Sequence, residues 1–91
     1  TQALGLLNSE FMNRQAEVFA ARLRKEAADD LEKQIRLGLY LVTSREPTKA
    51  ENKRGIRLVE SLKVEEQASP EVALKYFCLM ALNLNEMVYL D

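Results

Sequence analysis

The stretch LEKQIRLGLYLVTSREPTKAENKRGIRLVESL, residues 31–62, decides how the rest of the chain is read. It divides into two helical segments joined by a polar turn, with Gly38 in the first and Gly55 in the second. In the first segment Leu31, Ile35, Leu39 and Val42 recur at helical spacing and form one apolar stripe. Leu37, Leu41 and the small Ser44 form another on a different face. A surface helix needs a single stripe. Two stripes mean packing on both sides, or packing on one side and a face offered to a partner. The second segment has the single stripe Ile56, Val59 and Leu62, with Leu58 beside it and a basic opposite face. A two-faced helix followed by a one-faced helix is the pattern of stacked helical hairpins. The expected class is all-α, with tetratricopeptide-like antiparallel hairpins forming a right-handed helical repeat.

The turn between the two segments is explicit. Pro47 stops the first helix, and Thr48-Lys49-Ala50-Glu51 matches a capping box for the second. On the N-terminal side, Met12, Ala16, Phe19, Leu23 and Ala27 run down one face of an earlier helix. A break is expected before Leu31, where Asp29 or Asp30 can cap a new helix and where acids suit the helix dipole. Asp29–Lys33 and Glu32–Arg36 then support its first turns as i, i+4 pairs. On the C-terminal side, Ser69-Pro70-Glu71 reads as a cap, a proline in the first turn and an acid. The helix that follows is the most apolar. Ala73, Phe77, Met80, Ala81 and Leu84 form one stripe, and Leu74, Cys78, Leu82 and Asn85 form a second.

The chain of 91 residues is expected to be one domain. It comprises an arm over 1–8, a helix over 9–27, a first hairpin over 30–62 and a second over 69–91 that is incomplete, its C-terminal part truncated. The helices are expected near 9–27, 30–45, 49–62 and 70–84, with residues 87–90 beginning a fifth. The caps Asp30 and Ser69 stand 39 residues apart, near a tetratricopeptide period.

Composition narrows the function. Net charge is −1, and neither half is strongly charged, so no broad footprint for nucleic acid is present. Histidine is absent, which removes the commonest general base and metal ligand. The adjacent acids Asp29-Asp30 and Glu65-Glu66 sit at caps and linkers and do not converge as catalytic carboxylates must. Cys78 is the only cysteine, and it lies among apolar residues as a small buried hydrophobe does. Lys49, Lys53, Arg54 and Arg57 read as a solvated outer face. No phosphate loop, metal-ligand cluster or nucleophile set appears. The expectation is a protein that is not an enzyme and uses no cofactor.

What remains is the second stripe of each double-faced helix: Leu37, Leu41 and Ser44, with Leu74, Cys78, Leu82 and Asn85. These residues read equally well as core or as a partner-binding groove. A fourth helix without its sequence partner also favours self-association.

Residues 35–62 are similar to the first repeat of the mitochondrial fission 1 protein family, small tail-anchored adaptors with a tetratricopeptide-like bundle. The resemblance rests on Leu41-Val42-Thr43-Ser44, Gly55-Ile56 and Leu58-Val59-Glu60, and on residues 76–89 with Leu79, Asn83 and Tyr89. The turn between Ser44 and Gly55 is longer than the family's, and Leu37, Cys78 and Leu84 stand where tyrosines are common. The resemblance implies a cytosolic domain on the mitochondrial outer membrane, with the peroxisome as a second location. Its concave surface would recruit fission adaptors and a dynamin-related GTPase, and a tail absent from this chain would anchor it. The alternative is a structural helical interaction or dimerisation module unrelated to organelle fission.

Overall fold

The computed structural model describes residues 10–90, and side-chain surroundings as far as Asn83. The expected arm over 1–8 lies outside the described residues. Four α-helices follow one another: α1 (Glu10–Ala27), α2 (Leu31–Thr43), α3 (Lys49–Glu65) and α4 (Pro70–Leu90). Among the described residues there is no strand. Short turns join successive helices, which makes them antiparallel neighbours.

Local chemistry explains each boundary. α1 ends at Ala27 because Ala28 turns left-handed, with φ of 54°. Asp30 then caps α2, its carboxylate accepting from the Lys33 N–H at 3.2 Å. The buried Gln34 reaches back to donate to the Ala28 carbonyl and so ties the turn to the second helix. α2 ends two residues earlier than the sequence suggests. Ser44 is its C-cap, left-handed at φ 61°, and its N–H donates to the Tyr40 carbonyl at 2.8 Å. The capping box of α3 is complete: Thr48 Oγ1 accepts from the Glu51 N–H, and Glu51 Oε1 accepts from the Thr48 N–H. α3 runs on to Glu65 and closes with Gln67 left-handed at φ 55°. The Ala68 N–H donates to the Leu62 carbonyl at 3.1 Å and so closes the helix end without a glycine. Ser69 Oγ accepts from the Val72 N–H at the start of α4. α4 is one helix as far as Leu90, so residues 87–90 belong to it and do not begin a fifth.

The expectation that α4 lacks a partner is corrected by α1. The interface between α1 and α4 is the most extensive in the bundle, followed by that of α3 with α4. α2 and α4 also meet across the bundle, whereas α1 and α3 do not touch. The core gathers Met12, Ala16, Ala20 and Leu23 from α1, Ile35 from α2, Val59 from α3, and a broad face of α4 including Leu74, Phe77, Cys78 and Leu79. Burying a side chain of that size contributes about 1.5–3 kcal/mol. Supplying three neighbours requires burial on most of its circumference, and this is why α4 is the most apolar segment of the sequence.

The α2–α4 diagonal is short because two glycines admit Phe77. A Cβ on Gly38 would lie 2.9 Å from Phe77 Cε2, and a Cβ on Gly55 would lie 3.1 Å from Phe77 Cε1 and 2.6 Å from Ile35 Cγ2. The aromatic ring therefore sits in a slot between α2 and α3 that no side chain could share.

Candidate functional site

The two second stripes do not come together as a groove. Leu74 and Cys78 are core residues, because α1 packs along that side of α4. Leu37, Leu41 and Leu82 are half-buried and pack against the core cluster. Ser44 is exposed, and as the left-handed cap of α2 it has left the helical face on which its spacing placed it. The side chain of Asn85 lies outside the described residues.

A different surface opens beside the slot that holds Phe77. A cleft of about 270 Å³ lies between α2, α3 and α4. Phe77, Ala81 and the bare Gly55 form its floor. Leu39, Leu58 and Met80 form its apolar walls, and Thr43, Glu51 and Arg54 edge it. The missing side chain at Gly55 both seats the ring and leaves the cleft open. Met80 continues into an exposed apolar stripe on α4: Val72 is 41% exposed, Tyr76 47% and Met80 44%. Residues at i, i+4 and i+8 share one helical face, so the stripe extends from the cleft for about 12 Å along α4. The sequence hinted at this surface only through Leu58, which stands off the α3 stripe, and Gly55 beside it.

The rim charges differ in what they already hold. Arg45 grips Glu51 with two bonds, Nη1 to Oε1 at 2.9 Å and Nη2 to Oε2 at 2.7 Å. The hydrogen bond from Arg45, joined by that from Thr48, pulls the Glu51 carboxyl down to about 2. Arg36 bonds Glu46 at 2.9 Å across the α2–α3 turn, in place of the expected i, i+4 pair with Glu32. Arg54 is exposed and makes no ion pair among the described residues.

Burial raises the Cys78 thiol to about 12 against a small opposing effect of Arg24, so the sulfur stays protonated within the core. Among the described residues no group of three or more His, Cys, Asp or Glu side chains is placed to hold a metal ion. No helix is long and apolar enough to cross a membrane, again among the described residues.

Residues 1–59 match the family described as PSD1, a protein of unknown function (DUF1553). No curated protein and no solved structure matches the chain. The match overturns the resemblance to the mitochondrial fission 1 family. It runs through residues 35–59, nearly all of the first-repeat stretch on which that resemblance stood. Leu-rich helical motifs of this length recur in unrelated bundles, because every two-faced helix needs the same apolar spacing. The outer-membrane and peroxisomal location, the tail anchor and the fission partners rested on that resemblance and lose their support with it.

Proposed function

The chain belongs to the PSD1 family, whose function is unknown, and from that premise we propose that it is a non-catalytic helical docking module for another protein. The observation that carries this reading is the cleft around Phe77 and its extension along Val72, Tyr76 and Met80. Single exposed apolar residues are ordinary, but three in register beside an apolar cleft form a contiguous patch. Such grooves take an amphipathic helix through anchors at i, i+3 or i+4, and i+7. Met80, with Tyr76 and Leu58, offers large apolar surface of the kind that dominates binding energy.

Within this reading, α2 and α3 make a tetratricopeptide-like hairpin and α4 is the first helix of the next. The 39-residue spacing of the caps Asp30 and Ser69 supports that finer arrangement.

The test is a titration of the methyl-labelled chain with leucine-bearing helical peptides of about three turns, followed by NMR. The reading expects shifts at Met80, Leu58 and Leu39. Shifts confined to Leu37 and Leu41, or no shift with any peptide, would overturn it.

A further inference from the structure

The strip of α3 that borders the cleft carries charge of opposite sign at its two ends. Arg54, Leu58, Ser61 and Glu65 fall at i, i+4, i+7 and i+11 and so share one strip of α3. Leu58 is half-buried at the cleft, and the other three are exposed. Arg54 stands at the cleft end without an ion pair, and its neighbour Glu51 is already held by Arg45. Glu65 stands at the other end, where Ser61 Oγ donates to it at 2.7 Å and leaves its charge in place. The two charges lie about 16 Å apart along the helix. On α4, Val72, Tyr76 and Met80 are exposed, and Met80 shares the cleft with Arg54 and Leu58.

Resting on the docking reading, we propose that the occupant is an amphipathic helix of about three turns, acidic in its first turn and basic in its last, lying parallel to α3 with its N-terminus over Arg54 and its C-terminus over Glu65. Charge complementarity requires an acid opposite Arg54 and a base opposite Glu65. The helix dipole fixes the direction, since acids stabilise a helix at its N-terminus and bases at its C-terminus. An occupant in this orientation is parallel to α3 and antiparallel to α4. Its apolar residues would lie against Leu58, Tyr76 and Met80.

The experiment uses the full 91-residue chain and two synthetic peptides of equal composition. Both carry leucines at i, i+4 and i+7. One has glutamates first and lysines last, and the other has the reverse order. The glutamate-first peptide should bind about fivefold more tightly, the scale of two exposed ion pairs. The preference should vanish in about 1 M salt, where screening acts within 3 Å. In the double variant Arg54→Glu, Glu65→Lys the preference should invert, which separates groove polarity from any difference in peptide helicity. Equal affinities with shifts at Met80 for both peptides would overturn the proposed polarity and leave the docking reading intact. No shift at Met80 with either peptide would overturn both.

Discussion

Phe77 rests against Gly38 so closely that a single Cβ on the glycine would come within 2.9 Å of ring atom Cε2. Gly55 stands in a similar relation to the opposite edge of the ring and to Ile35. The two glycines and one aromatic set the distance between α2 and α4, and with it the shape of the cleft.

Gly38→Ala and Gly55→Ala should therefore both destabilise the chain. Alanine is the better helix former by about 1 kcal/mol, but overpacking typically costs about 1–3 kcal/mol. The methyl at position 55 meets a β-branched side chain that has no room to withdraw. Thermal unfolding should show a lower Tm for each, with the larger loss at Gly55. A Tm that rises in either variant would mean that the ring is not seated in the slot. In a Phe77→Leu background the cost of Gly38→Ala should shrink, since the clashing atoms are gone.

The Arg45–Glu51 grip predicts an acid-side dependence. The folded carboxyl, at about 2, lies below its unfolded value near 4. Its stabilisation is fully present above the unfolded value and is lost as pH falls from there through about 2. Arg45 is exposed and Glu51 partly so, and the effect is therefore small and screened by salt. Glu51→Gln should flatten the fall in Tm between pH 4.5 and pH 2 relative to the parent. Identical slopes would show that the pair does not persist in solution.

Gln67 offers a gain. It holds a left-handed conformation, φ 55°, at the end of α3, and a non-glycine residue there is strained by about 1 kcal/mol. Gln67→Gly should raise stability by about 0.5–1 kcal/mol in denaturant titrations. A loss would place the strain elsewhere in that turn.

Cys78 should be silent. Its sulfur is buried and protonated, so a thiol reagent such as Ellman's should fail to label the native chain at neutral pH and should label it once in denaturant. Rapid labelling of the native protein would mean that α1 does not cover this face of α4.

Residues 31–62 were the legible part. The capping box at Thr48 and the cap at Asp30 were readable because each depends on side chains within three residues. The ends of α2 and α3 were less so. Ser44 and Gln67 take left-handed turns that glycine usually signals, and neither is glycine. Which of the second stripes is buried was not legible, for a tertiary reason. Periodicity gives α4 two apolar faces, but it cannot say which of them a distant helix covers. α1 covers the stripe of Leu74 and Cys78, and Gly55 opens the cleft on the other side. A missing side chain leaves no mark in an apolar pattern.

The central claim is that the groove beside Phe77 is a surface for another helix. Its most direct test is Met80→Glu, measured for thermal stability and for peptide binding by the Leu58 and Leu39 methyl signals. Met80 is 44% exposed, so a carboxylate there should stay hydrated. The variant is expected to keep a Tm close to the parent and to lose the peptide-induced shifts, whereas Leu79→Glu, at a fully buried neighbour, should unfold the chain. Undiminished binding by Met80→Glu, or its unfolding alongside Leu79→Glu, would contradict the claim.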